Sequence, residues 1–179
     1  MLTFGPKVDP VSQPWTQRHP NFVFFSVCLI SGVLLGIGWH NIVTLPSYTV
    51  GDDMTAVIRE YGLARFFVVD AWFSSIGFVA GIGIGFLCWH LYKKYGWVVV
   101  GLAVFGGLLT AVICWQVGAA LGPGDFATRI ATAQPGDQVR IDFDLHTYAT
   151  LLVWPFGAVL PVLAYSAFGS SDQLDEKDG

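Results

Sequence analysis

Charge is what this sequence has least of. Only 12% of its 179 residues are Asp, Glu, Lys or Arg, about half the roughly 25% usual in a soluble domain. The net charge is −4 and no basic stripe runs through the chain, so the footprint of a nucleic-acid binder is absent. Cysteine is nearly as scarce. Cys28, Cys88 and Cys114 lie far apart within apolar runs, which argues against a disulfide framework or a zinc site built on them. Catalytic signatures are missing as well: there is no HExxH, GxSxG or P-loop. "GIGIGF" (Gly81–Phe86) sits inside an apolar run, and "GPGDF" (Gly122–Phe126) has no lysine after it. Neither makes a phosphate cradle. An arginine array for voltage sensing is also lacking.

Long apolar runs are what the sequence does have. Hydrophobic residues make up 54% of it. They gather in four segments, Phe22–Leu45, Phe66–Tyr92, Trp97–Leu121 and Thr147–Phe168. At about 1.5 Å per residue each is long enough to cross a hydrocarbon layer of roughly 30 Å. The expected fold is an all-α membrane protein, a bundle of four spans at about residues 22–45, 66–92, 97–121 and 147–168. A polar segment, 1–21, precedes it and an acidic tail, 169–179, follows. The first run exceeds the h-region of a signal peptide, about 7–15 residues, and no small-x-small cleavage site follows it, so it reads as an uncleaved helix.

The short turn "YKKYG" (Tyr92–Gly96) carries two lysines. By the positive-inside rule it belongs in the cytoplasm, together with both termini. Two longer loops, 46–65 and 122–146, then face outward. Met54, Val57, Ile58 and Tyr61 follow Asp52 and Asp53 at helical spacing, which predicts a short interfacial helix. "VRIDFDL" (Val139–Leu145) alternates apolar and polar, which predicts a strand with one buried face. Together these loops would form a small extracytoplasmic cap. Trp39, Trp72, Trp115 and Trp154 fall near the outer ends of the spans, and Trp15, Trp89 and Trp97 near the inner ends, as interfacial belts require; the outer set lies slightly deep, which leaves packing between helices open for some of its rings.

Asp70 is the anomaly. It stands about one turn inside the second span, where a carboxylate at the bilayer centre would cost roughly 2.5–3.5 kcal/mol on insertion scales. At about 100° per residue it shares a face with Gly77, Gly81 and Gly85, a doubled GxxxG register, so it should point into the bundle. Gly32 and Gly36 in span one and Gly107 in span three supply further close-packing positions. His40, Asn41, Gln116 and His146 fall at similar depth, giving a candidate outer polar cluster around Asp70. A cation or amide there would offset the desolvation of the carboxylate. His40, Asp70 and His146 are metal-ligand types without metal-site spacing, and no metal or other cofactor is expected. Pro155 and Pro161 are expected to kink span four.

The ordered set "VVDAWFSSIGFVAGIGIG", "GGLLTAVICWQVGAALGP" and "PGDQVRIDFDLHTYATLLVWPFGAV" resembles a family of small actinobacterial membrane proteins of unknown function. The likeness rests on Asp70, Phe73, Gly77, Gly81, Gly85, Trp115, Gly118, Gly122, Pro123, Trp154 and Pro155, and covers roughly residues 20–168. Gln116 departs from it, since a basic residue often follows the span-three tryptophan in that family. The resemblance implies a bacterial plasma membrane and no established activity. The expected role is that of a non-catalytic accessory or interaction subunit. Its partners would be the lipid bilayer and another membrane protein or further copies of the chain. The alternative is a protein that handles a small molecule, a lipid or protons through Asp70 and His40.

Overall fold

In the computed structural model, residues 19–43, 47–50, 56–57, 60–140 and 142–169 are described. Four long helices make the body: α1 (Pro20–Ile42), α2 (Glu60–Tyr92), α3 (Val98–Leu121) and α5 (Val153–Gly169). Between α3 and α5 comes the short helix α4 (Phe126–Ala131). A 3-10 turn, Tyr148–Leu152, leads directly into α5. All four long helices are long and apolar enough to cross a membrane. The first three are apolar all round rather than on one stripe, as helices bathed in lipid are. Large apolar side chains such as Leu34, Val79, Phe105 and Leu163 face outward.

Small residues decide which helices touch. α2 packs chiefly on α5, and α1 chiefly on α3, while α1 and α2 touch only lightly. A Cβ built on Gly81 would run into the Trp154 carbonyl oxygen, and one on Gly85 into that of Ala158. Gly77 takes the Trp154 indole against its Cα, and Gly157 returns the contact, its own Cβ position lying 2.6 Å from the Phe78 carbonyl oxygen. Hence the glycine register of α2 is the seat of α5. Gly32 and Gly36 serve α3 in the same way: a Cβ built on each would lie 2.9 Å from Ile113 Cβ and 2.7 Å from the Cys114 carbonyl oxygen, respectively. Gly107 lets α3 meet α5, since a Cβ built on it would lie 2.8 Å from Pro155 Cα. Such backbone approach lets dispersion and weak polar contacts hold helices where lipid removes any hydrophobic drive.

The prolines act differently from each other. Pro161 lies inside α5, where it cannot donate to the Gly157 carbonyl four residues back. Pro155, expected to kink the span, stands instead in the first turn of α5. There it coincides with the change from 3-10 to α, just after the chain passes from Leu152 into Val153.

At one end of the body sits the cap. Three strands, β1 (Ser47–Val50), β2 (Ala56–Val57) and β3 (Gln138–Arg140), form an antiparallel sheet in the order β2-β1-β3. The short helix expected in the first loop is therefore corrected. Val57 belongs to β2 and pairs with Thr49, and Tyr61 lies in α2, which starts at Glu60. Asp52, Asp53, Met54 and Ile58 lie outside the described residues. Pairing with the β-branched and aromatic "SYTV" of β1 overrides a local helical period. Among the described residues, the one short helix of the cap, α4, comes from the second loop. It is capped by Asp125 in the left-handed region (φ 58°), whose carboxylate accepts the Thr128 N–H.

Among the described residues, the expected strand Val139–Leu145 pairs with a neighbour only at its start, in β3. Its alternation still holds in burial: Val139, Phe143 and Leu145 are buried while Arg140 and Asp142 face out. Phe143 and Leu145 join Trp39, Val69, Phe73, Cys114 and Trp154 in one core cluster. The cap is thereby continuous with the bundle. A second cluster, including Phe24, Cys28, Cys88, Tyr92 and Val99, fills the end near the lysine turn.

Candidate functional site: the junction of cap and bundle

The aromatic floor comes first, since it fixes everything above it. Trp39 is fully buried. Its ring lies edge-on to Phe143, with centroids 4.3 Å apart, and to Phe73 at 5.0 Å. The Trp39 Nε1–H donates to the Val69 carbonyl at 3.3 Å, tying α1 to α2 one residue before Asp70. Gly118 and Gly122 on α3 leave the space that Phe143 and Trp39 occupy. Trp39 and Trp154 are both wholly enclosed, so these two rings pack between helices rather than in an interfacial belt. Trp72, by contrast, is 44% exposed.

Against that floor Asp70 is 13% exposed at its side chain and Oδ1 accepts the backbone N–H of His146 at 3.2 Å. The His146 Nδ1 stands 3.9 Å from the same oxygen, and its ring is 38% exposed. Asp70 thus clasps the segment that leads from the cap into α5, on the face already held by Gly77. Its depth explains why it is tolerated. Twenty-two residues separate it from Tyr92, about 33 Å of helix at about 1.5 Å per residue. With the lysine turn at one edge of a hydrocarbon layer of about 30 Å, the carboxylate comes out at the other edge and not in the middle.

A second clasp lies on α3. Asp144 Oδ1 accepts from Trp115 Nε1 at 2.7 Å and from the Leu145 N–H at 2.8 Å. Tyr148 stands edge-on to the Trp115 ring. A third lies within the cap. Arg129 donates through Nε to the Gly124 carbonyl at 2.9 Å and through Nη1 to that of Arg140 at 2.8 Å. Its Nη2 pairs with Asp142 at 3.0 Å.

Of the five cluster residues named from sequence, then, Asp70 and His146 are brought together. His40 is partly buried, its ring edge-on to Phe143 at 5.1 Å. Its Nδ1 is buried and finds no hydrogen-bond partner among the described residues. Asn41 and Gln116 are not part of the cluster. Asn41 is exposed and donates back to the Ile37 carbonyl at 2.8 Å in its own helix, and Gln116 is exposed on α3. Sequence reasoning missed Asp144 and Arg129. The signal for Asp144 was the polar half of the "VRIDFDL" alternation, read as solvent-facing when one of its members turns to an indole. Among the described residues, no group of three His, Cys, Asp or Glu side chains is arranged to hold a metal ion.

Chemically, the arrangement joins a loop to helices: each carboxylate at this junction accepts a backbone N–H or an indole N–H that fixes the cap. A scan against protein-family models, a search of curated proteins and a search of solved structures each find no match to the chain.

Proposed function

We propose that this multi-pass protein is a non-catalytic accessory or interaction subunit of a larger membrane or cell-envelope complex. Its cap faces the extracytoplasmic side and presents the contact surface. The observation that supports this most is the use made of the polar groups at the junction. Asp70, Asp144 and Asp142 are each engaged in holding the cap, which gives a small, pre-organised platform on a lipid-embedded stem. Pre-organisation of this kind lowers the ordering cost of association. The resemblance to uncharacterised actinobacterial membrane proteins favours a bacterial plasma membrane, with the doubly basic turn at Lys93 and Lys94 on the cytoplasmic side.

Site-specific photocrosslinking in native membranes tests the reading. A photoreactive residue in place of Gln138, on the exposed end of β3, should give one discrete heteromeric product in near-stoichiometric yield. Crosslinks only to further copies of the chain, or none, would remove the accessory role.

A second reading, a proton- or ligand-handling site, is favoured by one observation alone. His40 Nδ1 is buried without a partner among the described residues, its ring 5.1 Å from that of the Phe143 that plugs the bundle. It stands if His40→Gln abolishes a proton flux or ligand response in reconstituted vesicles while the bundle stays folded.

A further inference from the structure

Among the described residues, acid and base are divided between the two ends of the bundle. Every Asp and Glu lies at the cap end: Glu60 and Asp70 in the cap-side part of α2, and Asp125, Asp137, Asp142 and Asp144 in the second loop. At the other end stand Lys93 and Lys94, both exposed, with no described carboxylate beside them. We infer that this turn is a headgroup site: Lys93 and Lys94 pair with the phosphates of anionic phospholipids and select them over zwitterionic ones.

The turn holds its two ammonium groups in place. Lys93–Tyr95 is a 3-10 turn, whose successive side chains leave the axis about 120° apart. The Tyr95 ring returns to within 6.1 Å of Tyr92, and the lysines take the other two directions. Gly96, at φ 60° and ψ −128°, reverses the chain in a conformation that a side chain would strain. Its carbonyl accepts the Val99 N–H at 3.2 Å, and the Trp97 carbonyl accepts that of Val100 at 3.1 Å, so α3 begins at once. No acidic residue stands in the first turn of α3. On α2 the closest described carboxylate, Asp70, is about 33 Å of helix away from Tyr92. Nothing described at this end neutralises the lysines.

The level of the turn decides what does. Tyr95 and Trp97, on either side of Gly96, are 61% and 85% exposed. Phenol and indole rings left open beside apolar helices belong in the headgroup layer. The ammonium groups, on their long apolar stems, then reach the lipid phosphates. A soluble acidic partner would need the lysines clear of the bilayer, and Trp97 holds them at it. A zwitterionic headgroup carries its own cation beside the phosphate, whereas an anionic one leaves the phosphate charge for the protein. Each lysine near an anionic surface is favoured roughly fivefold. Unlike the orientation of the chain, this selectivity belongs to the folded turn and holds whichever way the protein is inserted.

The test uses the full chain in vesicles of phosphatidylcholine and phosphatidylglycerol, with bromines on the acyl chains of one lipid or the other at equal mole fraction. Bromine quenches a tryptophan that it touches. The emission of Trp97 is taken as the difference between the chain and its Trp97→Phe variant. Brominated phosphatidylglycerol should quench it severalfold more than brominated phosphatidylcholine. Lys93→Gln with Lys94→Gln should bring the two lipids level, while Lys93→Arg with Lys94→Arg should keep the difference, since the charge is what selects. Trp72, half-exposed at the cap side and read in the same way, should not change between these variants. Equal quenching of Trp97 by the two lipids in the native chain would overturn the inference. So would a preference that survives the glutamine pair, or one lost equally at Trp72. A preference that appears only when residues 170–179 are removed would assign the lysines to the acidic segment of the chain itself, and would also overturn it. None of these readouts needs a partner protein, so the inference stands or falls apart from the accessory role.

Discussion

Adding one methyl group to α2 should have opposite consequences two residues apart. At Gly81 a Cβ meets the Trp154 carbonyl oxygen, with Ala158 N at 3.0 Å and Gly157 Cα at 3.2 Å. All three are backbone atoms, so no side-chain rotation relieves the contact and α5 must move off α2. Overpacking of a well-packed site costs about 1–3 kcal/mol. At Gly83 nothing lies within 4 Å, and replacing a helical glycine by alanine gains roughly 0.5–1 kcal/mol of backbone entropy. Gly81→Ala and Gly83→Ala carry the same composition and the same propensity change, so their difference isolates the contact. It should be about 1–3 kcal/mol, or several degrees in the unfolding midpoint at roughly 2–4 °C per kcal/mol for a chain of this size. Thermal unfolding of the purified protein in mild detergent, followed by the near-ultraviolet signal of the buried tryptophans, measures it. Equal midpoints for the two variants would refute the assignment of the glycine register as the seat of α5.

Other consequences follow at the junction. Asp70→Asn keeps an acceptor for the His146 N–H, whereas Asp70→Ala removes it. The alanine variant should lose about 1–2 kcal/mol, toward the low end for a bond to a charged group, and amide exchange should rise at His146 and the turn after it. An asparagine variant as damaged as the alanine one would show that the charge does more than accept that bond. Arg129→Lys should loosen the 122–142 segment to limited proteolysis without changing the bundle, since an ammonium cannot serve two carbonyls and a carboxylate in one plane. The Asp142 pair itself is half-exposed and contributes under about 1 kcal/mol, so Asp142→Asn should be mild by the same assay. A proteolysis pattern unchanged in Arg129→Lys would contradict the role of the guanidinium as the staple of the cap.

The helices were legible because hydropathy over twenty residues is a one-dimensional signal, read without knowing what packs where. Asp70 was legible in part. Angular register put it on the glycine face, and that face does meet α5. Its acceptor role toward a backbone N–H was not, because any loop can offer an N–H and the pairing spans 76 residues of chain. Asn41 and Gln116 show the limit of arguing from depth alone: they share the level of Asp70 but not its direction. Similarly, of the period read through Met54, Val57, Ile58 and Tyr61, the two described members fall in different elements, Val57 in a strand and Tyr61 at the start of a long helix. Only the pairing of β1 with both β2 and β3, a tertiary fact, separates them. Trp39 and Trp154 were legible in level, and their depth left both an interfacial anchor and a ring packed between helices open; full burial over Gly118 and Gly77 decides for the second.

Side-specific labelling of single cysteines tests the membrane arrangement most directly. Cys28, Cys88 and Cys114 are all buried, so the native chain should react little with a membrane-impermeant maleimide. Thr132→Cys in the cap should be labelled on intact cells, and Lys94→Cys in the turn only after the membrane is permeabilised. Labelling of both positions from the same side of the sealed membrane would contradict the four-span bundle with its cap on one face and its lysines on the other.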